Sequence, residues 1–174
     1  MTTMSAGDIN EYQKKRYKYF EDFQKESNLI EGITRVTKEQ VQALMDFVEL
    51  DEINDEDILT LALRLQPKRM KKPKLRYKSG MDVRVGSYYP PPGGPEIKMN
   101  LHTLLKSAYK TPSFETHLKY ESLHPLTDVN GRTGRALWLW QIIRELNRLP
   151  TATFHKFWYY QSLNYSRQDL ALWD

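Results

Sequence analysis

The run "ALWLWQII", residues 136–143, constrains this chain more than any other feature, because Gln141 is its only polar side chain. A surface helix keeps a polar face for water, and this segment has none to offer. It therefore predicts a helix enclosed by other elements, the buried centre of a bundle. A length of 174 residues allows one domain around such a core. The approach to the run is opposite in character. "HPLTDVNGRTGR", residues 124–135, crowds a His, an acid, an Asn, two Gly and two Arg against the start of the apolar helix.

Helical periodicity runs through most of the remainder. Ile9, Tyr12, Arg16, Tyr19, Phe20 and Phe23 form one mainly apolar face and predict a helix over residues 8–30. Thr37 followed by Gln40 is a capping-box start for "KEQVQALMDFVEL", with Val41, Leu44, Met45 and Val48 on one side. Asn54 caps the next helix, "DEDILTLALRLQ", which Pro67 closes. The pattern then changes. Gly80, the alternating Val83 and Val85, Gly86 and the run Pro90–Pro92 predict a short hairpin or flap followed by an extended loop, over residues 75–92. Helices resume at "PEIKMNLHTLLKSAY", with Pro95 in its first turn, and at "SFETHLKYESLH", which delivers His124 at its end. "RTGRALWLWQIIRELN" and "ATFHKFWYYQSLNY" complete the set. The expected fold is all-α, a single domain over residues 1–174 with one β-hairpin.

Composition excludes several classes of function. With no cysteine, the chain has no disulfide, thiolate zinc site or Cys nucleophile, which suits a reducing cytoplasm. "MTTMSAGDINEYQKKRYK" lacks the apolar core of a signal peptide. No window approaches the roughly 20 apolar residues of a membrane span. A cytoplasmic protein with no membrane partner is expected. The net charge of +4 is uneven, with much of the excess in "PKRMKKPKLRYK", Pro67–Lys78. Charge runs usually solvate a surface, so a basic solvated loop is the plain reading. Attraction of a polyanion and steering of a nucleotide are its alternatives.

The polar cluster has a definite chemistry. A core helix holds its own N-terminus rigidly, with free backbone N–H groups and the positive end of the helix dipole. Gly131 permits a tight entry, while Arg132 and Arg135 add two guanidinium groups. Such an arrangement suits a polyphosphate carried with a divalent cation. Asp128 would supply one carboxylate to Mg2+, which completes its shell with phosphates and water. His124 is the natural general base for a hydroxyl nucleophile.

These residues carry a family resemblance. The segment resembles the Fic signature, H-P-F-x-(D/E)-G-N-G-R-x-x-R, departing at Leu126 and Val129. "KYESLHPL" before it, "VRVGSYYPPP" upstream and "YYQSL" after it agree with the same family, so the resemblance extends from about residue 27 to 165. It implies a Fic-like helical bundle around the buried central helix, with a short β-hairpin flap. The implied activity is transfer of AMP from ATP to a hydroxyl side chain of a target protein. His124 would be the base and Asp128 the Mg2+ ligand. Asn130 and Arg132 would hold the phosphates being split and Arg135 the γ-phosphate, with Gly131 and Gly134 completing the phosphate-binding stretch. The flap, Val83, Arg84, Val85 and Gly86, would align the target by strand addition. Tyr160 and Leu163 would line the adenine pocket. Leu126 in place of Phe is a tolerable core change. Val129 stands where the family has Gly, which is costly for a β-branched residue if φ there is positive.

"SNLIEG" resembles the family's inhibitory motif, (S/T)-x-x-x-E-(G/N), with Ser27, Glu31 and Gly32 at the specified positions. Ser27 and Glu31 share one helical face. The resemblance implies that Glu31 pairs with Arg135 and blocks the γ-phosphate; a helix cap at Gly32 accounts for the same residues without function. Doc-like kinases in the superfamily carry Lys where this chain has Gly131, which favours AMP transfer over transfer of the terminal phosphate. Removal of AMP from a modified target, assisted by Glu31, stays open. So does a non-catalytic nucleotide or nucleic-acid binder, against which the intact His124 and Asp128 count. The target's identity and the oligomeric state stay open too.

Overall fold

A computed structural model of the chain describes residues 6–151, residue 69 excepted. The helix expected at "ATFHKFWYYQSLNY", and with it Tyr160 and Leu163, lies outside the described residues. Six helices appear among those described: α1 Ala6–Ile30, α2 Lys38–Val48, α3 Asp55–Leu65, α4 Pro95–Ser107, α5 Ser113–Leu123 and α6 Asn130–Leu146. The all-α expectation holds. None of these helices is long and apolar enough to cross a membrane.

The sequence signals act where their chemistry requires. The Thr37 hydroxyl accepts from the Gln40 backbone N–H at 3.2 Å, and the Gln40 side chain accepts from the Thr37 N–H at 3.1 Å. Asn54 Oδ1 accepts from the N–H groups of Glu56 and Asp57 at the start of α3. Pro95 opens α4, where its missing N–H would have had no intrahelical partner. α6 packs against α1, α2, α3 and α5, and so occupies the centre that its apolar run demanded. Within it Ala136, Leu137, Leu139 and Trp140 are each no more than 1% exposed.

One helix is buried over only part of its length, and one expectation is revised. The apolar face of α1 is not buried from its start, since Ile9 and Tyr12 are exposed and the helix enters the core only at Phe20 and Phe23. At about 1.5 Å per residue, a 25-residue helix outruns the 11-residue α2 on which it packs. The flap is not a strand ladder either. Val85 and Tyr88 exchange both backbone hydrogen bonds, at 3.0 and 2.9 Å, around Gly86 at φ +58°, and the pairing stops there. The next hydrogen-bonded pair of that register would be Val83 with Pro90, and proline has no N–H to donate. A second isolated bridge, Leu75 with Leu126, ties the segment after α3 to the loop between α5 and α6.

Candidate active site

α5 ends at His124, whose φ of +49° turns the chain out of the helix, and α6 begins six residues later. The loop between is set by Asn130. Its Oδ1 accepts from the Leu126 N–H at 2.8 Å and its Nδ2 donates to the Leu126 carbonyl at 2.7 Å. With both ends of its amide engaged, Asn130 offers a ligand its backbone N–H rather than its side chain.

Val129, immediately before α6, sits at φ +70°. The costly case for a β-branched residue is therefore the one observed. Its side chain is 5% exposed, so apolar burial offsets part of that strain. No side chain caps α6, and Thr133 is the first residue whose N–H bonds back, to the Val129 carbonyl at 3.0 Å. The N–H groups of Asn130, Gly131 and Arg132 precede that first bond and form the positive end of the helix.

A cavity of about 260 Å³ lies over this helix end. His124, Asp128, Asn130, Gly131, Arg132 and Arg135 line it, with Glu31 from the end of α1 and Val83, Arg84 and Val85 from the flap. Gly86 makes the flap turn and does not line the cavity. Gly134 does not line it either. Its Cα faces α5, where a Cβ would collide with the Glu121 carboxylate and stand 2.9 Å from Cδ1 of Tyr120. It is a close-packing glycine between two helices, not part of the phosphate-facing surface.

The polar side chains are held in fixed roles. His124 Nδ1 is 3.2 Å from the Glu121 carbonyl, which can only accept, so in the neutral ring the proton sits on Nδ1 and Nε2 is the basic nitrogen. Asp128 Oδ1 accepts from the Val129 N–H and Oδ2 from Gln66 Nε2, both at 2.7 Å. Arg132 donates to the Leu65 carbonyl and to Gln66 Oε1, which leaves its buried Nε with no acceptor among the described residues. Burial pulls the Arg132 guanidinium below its usual range, with Glu31 and Asp128 opposing that shift and Arg135 adding to it.

Arg135, 1% exposed, donates from Nε to the Ser27 hydroxyl at 2.8 Å and from Nη2 to the Ser27 carbonyl at 2.9 Å. The same Nη2 donates to Glu31 Oε1 at 2.6 Å. Gly32, at φ +75°, closes α1: the Ile33 N–H reaches the Asn28 carbonyl at 2.9 Å and the Gly32 N–H the Leu29 carbonyl at 3.1 Å. The capping account of "SNLIEG" is thus correct as local structure, and the same cap ends the helix where Glu31 reaches Arg135. The Glu31 carboxylate also overlies Gly131, where an added Cβ would collide with it.

Three residues escaped the sequence reading. Gln66, the last before Pro67, carries no signal that marks it. Glu121, 4% exposed, is among the residues that line the cavity. Arg76 belongs to the run read as a solvated basic loop, and that reading fails for it. It is 0% exposed and donates to the carbonyls of His124, Leu123, Met81 and Pro91, tying the flap to the loop that carries His124. Lys68, Lys71, Lys72, Lys74 and Lys78 of the same run are exposed.

No protein-family model matches the chain, and comparison with curated proteins gives no match.

Proposed function

We propose that the chain is a Fic-type protein adenylyltransferase, transferring AMP from ATP to a hydroxyl side chain of a target protein and restrained by Glu31. The observation that carries the reading is the meeting of two motifs far apart in sequence. Glu31 reaches Arg135 across 104 residues, at 2.6 Å, in the cavity lined by His124 and Asp128. A capping residue alone has no reason to engage a buried guanidinium there.

The surrounding groups suit the reaction. A hydroxyl oxygen of the target attacks the α-phosphorus, its proton passes to Nε2 of His124, and the bond from the α-phosphorus to the bridging oxygen breaks to release pyrophosphate. The N–H groups of Asn130, Gly131 and Arg132 and the end of the helix dipole meet the negative charge of the phosphates. Arg135 would take the γ-phosphate once Glu31 withdraws. The donor set suits Mg2+: one hard carboxylate, Asp128, is enough for an ion that draws the rest of its shell from phosphates and water. When bound, Mg2+ neutralises charge on the transferring phosphates. The Val85–Tyr88 bridge is isolated among the described residues, so the flap offers little more than one turn of extended backbone to a target strand.

The test is labelling of a cell lysate with ATP carrying label at the α- or the γ-position, using the native chain and Glu31→Gly. Alpha label on protein, stronger with Glu31→Gly, supports the reading. Gamma label alone points to kinase chemistry instead, and no label with either protein removes the reading.

A further inference from the structure

The end of α3 brings a single amide between the two charged groups of opposite sign in the cavity wall. Gln66 Nε2 donates to Asp128 Oδ2 at 2.7 Å, and Gln66 Oε1 accepts from Arg132 Nη2 at 2.9 Å. The amide's orientation is chemically unambiguous, because a guanidinium only donates and a carboxylate only accepts. Gln66 is 7% exposed, and its Nε2 also reaches the Lys71 carbonyl at 3.3 Å. The Val129 N–H holds the other carboxylate oxygen, so the plane of Asp128 is pinned at both ends. A side-chain amide places a donor and an acceptor on one short planar group. A Glu here would face Asp128 with like charge, and a Lys would face Arg132 with like charge.

We infer that Gln66 is the positioning residue for divalent-cation binding at this site, fixing the Asp128 carboxylate for the cation and coupling it to the phosphate-facing Arg132. This rests on the proposed nucleotide reaction for the presence of a cation, and it assigns a role in that reaction to the C-terminal end of α3. Outer partners of a ligating carboxylate set its direction, and losing one typically weakens metal binding by about 10–100-fold.

The experiment is Mn2+ binding followed by electron paramagnetic resonance, with a non-hydrolysable ATP analogue present, on the parent, Gln66→Met, Asp128→Ala and the double variant. Gln66→Met keeps the length of the side chain and removes all three of its hydrogen bonds. The expected result is Mn2+ affinity lowered at least tenfold by Gln66→Met. Adding Gln66→Met to Asp128→Ala should produce no further loss, because the effect passes through the carboxylate. Unchanged Mn2+ affinity in folded Gln66→Met, or additive losses in the double variant, would overturn the inference. Should Gln66→Met melt below the assay temperature, Gln66→Asn, one methylene too short to span both partners, must give the same loss or the inference falls. A parent protein that binds no Mn2+ would overturn the proposed function as well, so the two failures are distinguishable.

Discussion

The Glu31 carboxylate accepts a 2.6 Å hydrogen bond from a guanidinium, that of Arg135, which is otherwise held by Ser27 and buried. The two sides of the pair differ in environment. The Arg135 side chain is 1% exposed, while that of Glu31 is 36% exposed and borders the cavity. In the proposed restraint the arginine is therefore the fixed partner and the glutamate the movable one.

Removing the movable partner should release the site. Glu31→Gly leaves Arg135 with both Ser27 acceptors, so its guanidinium stays in place. Transfer of α-label should rise, on the order of 10²-fold if the carboxylate displaces the reacting phosphate by about 1 Å. Adding Arg135→Ala should reverse the gain. A folded Glu31→Gly protein with unchanged labelling, its melting temperature serving as control, would defeat autoinhibition.

His124 joins its proposed role as base to an observed backbone role. His124→Ala should lower transfer by about 10²–10⁴-fold, the usual worth of a general base, and leave ATP binding nearly intact. Because the residue sits at φ +49°, the companion His124→Asn suits the backbone better and should be equally inactive but better folded. Full transfer by either variant would remove His124 from the chemistry.

Val129→Gly sets strain against burial. Glycine keeps the left-handed backbone without the Cβ penalty, which recovers roughly 1–2 kcal/mol, whereas losing a buried Val costs roughly 1.5–3 kcal/mol. The melting temperature should therefore shift by only a few degrees. Nucleotide affinity by calorimetry should rise, since the side chain no longer occupies the cavity wall. A large loss of stability would mean that packing, not backbone approach, determines this position.

The two glycines of α6 should behave differently. A Cβ on Gly131 meets the end of a flexible Glu31 side chain and stands 3.0 Å from Nη1 of Arg135, so Gly131→Ala should cost little thermally, displacing that carboxylate and nudging the guanidinium. A Cβ on Gly134 meets the Tyr120 ring and a buried carboxylate. Gly134→Ala should therefore destabilise by about 1–3 kcal/mol, typical of overpacking, against roughly 1 kcal/mol of helix propensity gained. Equal melting temperatures for the two variants would contradict the packing assigned to Gly134.

Local chemistry was legible in the amino-acid order alone. The capping box at Thr37, the cap at Asn54, the proline at the head of α4 and the enclosed α6 all follow from groups within a few residues of each other, and each stands where expected. The cluster at residues 124–135 was legible too, because its members lie within twelve residues that run from the cap of α5 through a short loop, closed by Asn130, into the start of α6. Tertiary structure decided what crosses between elements. It turned Gly134 toward α5 and buried Arg76 among four carbonyls. It also set Gln66 between Asp128 and Arg132, 62 and 66 residues away. A glutamine before a proline looks like any helix end, and an arginine in a basic run looks like any surface charge. Their partners are backbone carbonyls and side chains on other elements, and which of these comes within hydrogen-bond reach is fixed only when the helices pack.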